Sequence, residues 1–238
     1  MNLELIQFIP EDCQRILEIG CADGALGDFI LQKNICREYV GVELLEEQAT
    51  IASGKLSRVI QGDAEKIKLS EHLSGQFDCV IYADSLEHMK NPLAVLSHHL
   101  EFLKPGGYVI ASIPNVRNLF LIDRLIHGRW IYTNWGLLDK THFHLFTLTE
   151  LKKLFSEVGL DLEVVKSSMR SGQWFKKMHQ EEDLNQLFLD LYDALQSNIE
   201  SNMSEVKKIL TERYAMQELT DQDVMELFTV QFHLRARK

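Results

Sequence analysis

The feature that most constrains the fold is a series of short, nearly continuous apolar segments between residues 15 and 114, separated by segments with helical spacing. A strand with one face in water alternates polar and apolar residues, whereas a continuously apolar strand is buried on both faces. Such strands are typical of a parallel sheet covered by helices, so the pattern predicts a doubly wound α/β fold. The predicted strands are RILEI (Arg15–Ile19), EYVGVE (Glu38–Glu43), SRVIQG (Ser57–Gly62), FDCVIYA (Phe77–Ala83) and GYVIASI (Gly107–Ile113).

Two more strands are predicted in the second half of the chain, which gives a mostly parallel sheet of seven strands. These are DLEVVKS (Asp161–Ser167) and ELFTVQFHLRA (Glu226–Ala236). The segment TLTELKKLFSEVGL before the first of them predicts a helix, with the side chain of Thr149 as its N-cap.

The region from Gln173 to Asp221 is polar overall, with apolar residues at steps of three or four from Leu184 to Leu210. Most connections between neighbouring strands are only a few residues long. We therefore predict a helical insertion over 173–221, with 1–172 and 222–238 forming the main domain. We expect this insertion to be a lid or wall beside the substrate, and the alternative is the interface of a homodimer.

Charge and composition exclude several classes of protein. The formal net charge of -10 argues against a general nucleic-acid-binding protein, which usually has a basic face. The N-terminal segment carries Glu4 and lacks the basic start of a signal peptide, and no apolar run reaches the ~18 residues of a membrane span. The four cysteines form no CxxC pair and are expected to be buried thiols. We therefore expect a cytoplasmic protein.

The turn after the first strand, ILEIGCADGALG, places glycines at positions 20, 24 and 27. This spacing differs from the G-x-G-x-x-G fingerprint of dinucleotide-binding proteins, which disfavours an NAD-dependent oxidoreductase. The acids Glu18 and Asp23 would also repel a pyrophosphate at the start of the helix. A ligand that carries an ammonium and a sulfonium group suits two carboxylates better, because both of its groups are cationic.

These residues make the chain resemble the class I S-adenosylmethionine-dependent methyltransferases. The family's first motif, an acid followed by alternating glycines, is matched by Glu18, Gly20, Ala22 and Gly24, with alanine in place of the middle glycine. The resemblance implies S-adenosylmethionine as the cofactor. It also implies that Glu43, which ends the second strand, binds the ribose, and that Asp63, beside Ala64, recognises the adenine. The remaining residues expected near the cofactor are Cys21, Asp23, Leu44 and Ala83.

Each of these acids also has a purely structural interpretation, as a helix cap for Glu43 or a turn residue for Asp63. Their common position at the ends of successive strands is the reason to prefer ligand binding, because α/β proteins bind ligands at that edge of the sheet. The resemblance extends from Ile16 to Pro114 and more weakly to Leu160.

The chemistry is predicted to depend on histidine. The chain lacks a D/N-P-P-Y/F motif after the fourth strand, which disfavours methylation of adenine or of glutamine amides, and Asp84 there is expected to be a helix N-cap. Asp139, Thr141, His142, Phe146 and Thr147 match the D-x-T-H-x-x-x-F-T segment of ubiquinone-type and sugar-modifying methyltransferases, and the residues before them are similar to polysaccharide-associated methyltransferases.

Histidine is the side chain that most often acts as a general base at a hydroxyl group. His142 is the first candidate, His144 the second and His88 the third, and the alternative for His142 is a structural role. A metal site at His142 and His144 would need further ligands that the local sequence does not supply, so no metal is expected.

The acceptor is the least constrained part of the prediction. Trp130, Tyr132 and Trp135 precede the histidines, and aromatic faces stack equally well on a sugar or on a quinone-like ring. We predict O-methylation of a sugar or glycan precursor, with a small aromatic or quinone-like acceptor as the alternative. A further alternative is a binding module that keeps the fold without catalysis.

Overall fold

The computed structural model describes residues 2–169, 189, 191–193 and 199–238. The described residues divide into two compact units, one formed by 1–114, 141–166 and 232–238 and the other by 115–140 and 167–231. Much of the predicted insertion lies outside the described residues, so its role as a lid or an interface stays a prediction.

A single seven-stranded sheet has the order β3-β2-β1-β4-β5-β7-β6. The first five strands pair in parallel, with β2, β1 and β4 in adjacent positions. Strand β7 runs antiparallel to β5, because Lys238 N–H donates to Gly107 C=O while Asn115 N–H donates to Val230 C=O. The strands are β1 (Arg15–Ile19), β2 (Glu38–Glu43), β3 (Arg58–Gln61), β4 (Phe77–Ala83), β5 (Leu103–Pro114), β6 (Asp161–Met169) and β7 (Thr229–Arg237).

Seven α-helices can be assigned within the described residues. The predicted connections between parallel strands are confirmed as helices, and the segment that begins at Pro92 starts with proline at its first position, where the missing N–H is not needed. The helices are α1 (Ala25–Gln32), α2 (Glu46–Ser53), α3 (Pro92–His99), α4 (Leu119–Ile126), α5 (Leu148–Glu157), α6 (Ile199–Tyr214) and α7 (Asp221–Phe228).

Three predicted boundaries differ from the structure, and helix capping explains the first two. The N-cap of α5 is Thr147, not Thr149, because Thr147 and Glu150 form a capping box. The segment Glu226–Phe228 ends helix α7 and does not begin the last strand, because a second capping box at Thr220 starts a helix that runs up to the strand. Strand β5 begins at Leu103, so the segment Pro105–Gly107 lies inside a strand.

The sheet is buried between two apolar clusters of the first unit. Strand residues pointing to one face, such as Leu17 and Val80, belong to one cluster, and their neighbours Ile16 and Cys79 belong to the other, as the period of two requires. All four cysteines are free and buried, as predicted. Among the described helices, none is long and apolar enough to cross a lipid bilayer.

The second unit has its own apolar cluster, built on α4, α6 and α7. Arg117 is held by Asp223 and Glu226, each at 2.7 Å, and the buried Asn118 donates to Thr229 C=O at 2.8 Å. Trp130 packs against this cluster, whereas Tyr132 and Trp135 are 57% and 43% exposed. The predicted stacking role of these three aromatic residues stays a prediction.

Candidate functional site

A cavity of about 530 Å³ in the first unit opens at the carboxyl ends of β1 to β4. Its lining includes a residue from the end of each of these strands: Gly20, Glu43, Asp63 and Asp84. The binding sites of α/β proteins lie at this edge, and the volume suits a small-molecule ligand. The sequence analysis placed its candidate cofactor residues at the same edge.

The turn after β1 is shaped by residues with positive φ. Gly20 has φ +78°, and a Cβ at this position would lie 2.9 Å from the Cβ of Ser85. Ala22 has φ +46°, a conformation that is unfavourable for any residue with a Cβ. This explains why the motif has glycine at the position of Ala22. The N–H of Gly24, the N-cap residue of α1, donates to Cys21 C=O and closes the turn.

Glu43 is fixed by this turn. Its two carboxylate oxygens accept the backbone N–H groups of Ala22 and Leu45, each at 2.8 Å, and the residue is buried. A carboxylate oxygen has two lone pairs, so each oxygen keeps capacity for one more donor. The arrangement therefore suits two neighbouring hydroxyl groups, as the predicted ribose role of Glu43 requires.

Glu18 is the most perturbed acid near the cavity. It is only 2% exposed, and burial raises its pKa to about 8, although the hydroxyl of Tyr39, which donates to it at 2.9 Å, acts in the opposite direction. The neighbouring carboxylates of Glu43, Asp23 and Asp84 raise the pKa further. A cationic ligand would favour the ionised form of Glu18.

Asp23 is engaged by a cation of the chain itself. Lys55 Nζ donates to its carboxylate and to its backbone carbonyl, each at 2.8 Å, and the Asp23 pKa is lowered by this contact. Asp23 is not among the described residues that line the cavity. The contact with Lys55 gives Asp23 a structural role, because it joins the turn to the end of α2. The predicted contact of Asp23 with the cofactor stays a prediction.

Asp63 and Ala64 line the cavity after β3, and their predicted role at the adenine stays a prediction. The Asp63 carboxylate accepts from Lys66 Nζ at 2.6 Å, which lowers its pKa, and from Glu65 N–H at 3.0 Å. Both contacts hold the side chain in one orientation at the rim of the cavity.

Three other predicted cofactor neighbours occupy different environments. Leu44 lines the cavity and is 59% exposed. Cys21 is buried, and burial raises the pKa of its thiol, so the side chain stays neutral. Ala83 ends β4 and is half-buried.

Asp84 is not the helix cap that the sequence analysis expects. It has φ +55°, and its carboxylate accepts the Ser112 hydroxyl of β5 at 2.8 Å, so it is directed at the neighbouring strand. The short 3-10 helix that follows, Leu86–His88, begins one residue too late for Asp84 to cap it, since its N-cap is Ser85. Burial raises the pKa of Asp84, which lines the cavity.

His88 lines the cavity, together with Met89, Thr141 and Phe143. Its Nδ1 is 3.1 Å from the Thr141 carbonyl oxygen and 3.1 Å from the Thr141 hydroxyl. When Nδ1 donates to this carbonyl, which can only accept, Nε2 of the neutral imidazole has a lone pair. This tautomer is the one that a general base or a metal ligand requires.

The other two candidate histidines, His142 and His144, contact different residues. The ring of His142 stands edge-on to His88, with centroids 4.8 Å apart. His144 Nε2 lies 3.2 Å from the Lys90 carbonyl and its ring stacks on Phe146, which gives His144 a structural contact. Neither His142 nor His144 is among the described residues that line the cavity.

Glu87 is the residue of this cluster that the sequence analysis misses. It is 1% exposed, and its carbonyl accepts the N–H groups of Phe143 and His144 at 2.9 and 3.1 Å, which joins the segment after β4 to the histidine segment. One ligand atom from each of Glu87, His88 and His142 lies within 4.8 Å of the others. The sequence shows that Glu87 is adjacent to the candidate His88, and this was the one available sign that Glu87 belongs to the cluster. The sequence does not show that His142 lies near them, because that depends on a contact between segments more than fifty residues apart.

This cluster changes the expectation about metals. In the sequence, His142 and His144 have no further metal ligand nearby, whereas the fold brings Glu87 and His88 close to His142. Two imidazoles and a carboxylate are a donor set that suits a divalent transition metal. The types of donor in this cluster therefore suit a divalent cation as well as a catalytic histidine.

Comparison with known proteins assigns the family. A family model described as a methyltransferase domain matches residues 2–165. The ubiquinone biosynthesis O-methyltransferase of Bordetella avium is 26% identical over 167 residues, which cover 68% of each chain. The corresponding protein of Dechloromonas aromatica is 32% identical over 106 residues, which cover 43% of this chain and 45% of that protein. The chain thus spans between about half and two thirds of the length of these relatives.

The fold comparison agrees with the family. A S-adenosylmethionine-dependent methyltransferase from Archaeoglobus fulgidus superposes with a TM-score of 0.63 over 99% of this chain and 90% of that chain, at 20% identity. This likeness confirms the predicted sheet and its helices. Taken with the family match, it confirms the predicted cofactor class. The chain therefore belongs to the methyltransferase-domain family of class I S-adenosylmethionine-dependent methyltransferases.

Proposed function

We propose that the protein transfers the methyl group of S-adenosylmethionine to a hydroxyl oxygen of a small aromatic acceptor, with His88 as the general base. The observation that carries this proposal is the hydrogen bond of His88 Nδ1 to the Thr141 carbonyl, which leaves Nε2 able to accept a proton. His142 and Glu87 then act behind His88 and orient it.

The reaction needs little beyond alignment and one proton transfer. The sulfonium is already an activated leaving group, so the acceptor oxygen attacks the methyl carbon in line while the carbon–sulfur bond breaks. His88 Nε2 takes the hydroxyl proton as the new carbon–oxygen bond forms. The products are a methyl ether, S-adenosylhomocysteine and a protonated His88, which returns its proton to solvent.

An aromatic acceptor is favoured by the side chains near His88. Met89 and Phe143 line this part of the cavity, and Phe143 is 62% exposed, so its ring is open to stacking. The relatives are named as O-methyltransferases of ubiquinone biosynthesis, which supports an aromatic or quinone-like acceptor. The sugar acceptor that the sequence analysis preferred has no comparable support among these relatives.

The cluster of Glu87, His88 and His142 offers a second route to the same product. A divalent cation held there would act as a Lewis acid and lower the pKa of the acceptor hydroxyl. The two routes are distinguished by chelation. Loss of activity with EDTA and recovery with a divalent metal would favour the cation, whereas activity that EDTA leaves unchanged would favour His88 as the base.

The test is a panel of catechols, other phenols and nucleotide-sugars incubated with S-adenosylmethionine, read as a mass gain of one methyl group. With the best acceptor, His88→Ala should lower kcat by about 10²–10⁴, which is typical of a lost general base. His144→Ala is the matched control, since His144 contacts the Lys90 carbonyl, and it should change kcat only a few-fold. Methylation of nucleotide-sugars alone would contradict the acceptor class, and an unchanged kcat in His88→Ala would contradict the role of His88.

A further inference from the structure

A buried chain of hydrogen bonds joins the middle of the sheet to the cavity. His99, the last residue of α3, is 1% exposed. Its Nδ1 is 2.9 Å from the hydroxyl of Tyr82 on β4, and its Nε2 is 3.3 Å from the carbonyl oxygen of Ala64. Ala64 lines the cavity between Asp63 and Glu65. The chain of contacts therefore ends at a turn that faces the ligand.

The direction of both hydrogen bonds follows from the chemistry of the partners. The Ala64 carbonyl can only accept, so His99 Nε2 carries the hydrogen. Burial lowers the pKa of His99 to about 4, so the ring is neutral near pH 7 and Nδ1 has a lone pair. Tyr82 has its pKa raised by burial and keeps its proton, which it donates to Nδ1. In this series of hydrogen bonds, Tyr82 donates to His99 Nδ1 and His99 Nε2 donates to the Ala64 carbonyl.

Helix α3 contacts the same turn a second time at its other end. Asn91 N–H donates to Glu65 Oε1 at 2.9 Å, and the Asn91 side chain accepts the N–H of Ala94 and caps the helix. The turn 62–65 is therefore held by the N-terminal end of α3 through Glu65 and by its C-terminal end through Ala64. A loop fixed at two points loses less freedom when it binds a ligand.

We infer that His99, oriented by Tyr82, is a positioning residue for the adenine end of the cofactor site, where it holds the Asp63–Ala64 turn in its binding conformation. His99 does not line the cavity among the described residues, so it acts through the Ala64 backbone. The inference concerns cofactor binding and is independent of the acceptor and of the role of His88.

The experiment measures binding of S-adenosylhomocysteine and of adenosine by calorimetry, together with melting temperatures. His99→Leu removes both hydrogen bonds, and we expect Kd to rise about tenfold for both ligands, because only the adenosine end is affected. Tyr82→Phe removes only the orienting hydrogen bond and should raise both Kd values by about threefold. His99→Gln retains an N–H for the Ala64 carbonyl and should recover part of the affinity.

The matched control is Leu96→Ala, a change on the same helix at a fully buried apolar residue that belongs to the core. It should lower the melting temperature and leave Kd within about twofold, because it removes packing without a polar contact to the turn. An unchanged Kd in folded His99→Leu or Tyr82→Phe would overturn the inference. An equal loss of affinity in Leu96→Ala would also overturn it, because stability alone would then explain the effect. If His99→Leu does not fold, the Kd values of Tyr82→Phe provide the test.

Discussion

Binding of S-adenosylmethionine should release a proton from Glu18, and Glu18→Gln should abolish this release. With a pKa of about 8, roughly nine-tenths of the Glu18 side chains are protonated at pH 7 in the free protein. A unit positive charge about 5 Å away, at an effective dielectric constant of about 20, favours the carboxylate by about 3 kcal/mol, or roughly two pKa units. The Glu18 pKa therefore falls when the ligand binds, and most of the Glu18 proton is released per ligand at pH 7.

The assay is calorimetric titration at pH 7 in buffers with different ionisation enthalpies, where the slope of the observed enthalpy gives the number of protons released. S-adenosylhomocysteine lacks the sulfonium charge and should release fewer. Tyr39→Phe removes the hydroxyl that lowers the Glu18 pKa, so its proton release should persist to higher pH. The reasoning fails if wild type and Glu18→Gln release the same number of protons, since the proton would then come from another group.

The same shift links stability to pH. Because the folded-state pKa of Glu18 is above its ordinary value of 4.5, the folded protein binds more protons than the unfolded chain between pH 4.5 and about 8. The free energy of unfolding contributed by Glu18 therefore falls as pH rises through this window, by at most about 1.4 kcal/mol per pH unit. The cofactor opposes this loss, so the increase in melting temperature that it causes should be larger at pH 8 than at pH 6.

Two other substitutions test the turn after β1. Glu43→Ala should weaken S-adenosylmethionine binding about ten- to a hundredfold, the loss expected for hydrogen bonds to a charged group; an unchanged Kd by calorimetry would remove Glu43 from the ribose role. Ala22→Gly should raise the free energy of unfolding by about 1 kcal/mol in urea denaturation, because glycine adopts the φ of +46° without strain. A loss of stability in Ala22→Gly would show that the alanine methyl group contributes more than the strain removes.

The parts of the fold that the sequence predicts best are those set by local pattern. The limits of β1, β2 and β4 agree with the predicted ones, because each strand is a short, nearly continuous apolar run. The errors occur where two local signals compete. Thr147 and Thr149 are both suitable caps, and the choice depends on which of them has Glu150 three residues later.

The position of the cofactor candidates at the strand ends could be predicted from the sequence, whereas the surroundings of the histidines could not. The acids at the strand ends follow from topology, because every parallel strand brings its carboxyl end to one edge. The contact of Lys55 with Asp23 and that of His88 with Thr141 join residues 32 and 53 positions apart. No local pattern encodes such pairs, so the sequence alone does not show which of the three histidines lines the cavity.

The acids around the cavity divide into two electrostatic classes, and this division bears on product release. Asp23 and Asp63 have lysine partners that lower their pKa values, so they stay ionised without a ligand. Glu18 and Asp84 have pKa values raised by burial, and Glu18, with a pKa of about 8, is the acid whose charge develops when a cation enters. Methyl transfer converts the sulfonium into a neutral thioether and removes the positive charge that favoured the carboxylates. The loss of this attraction weakens binding of S-adenosylhomocysteine relative to the cofactor, so the ratio of product to cofactor Kd should exceed one at pH 7 and should fall in Glu18→Gln.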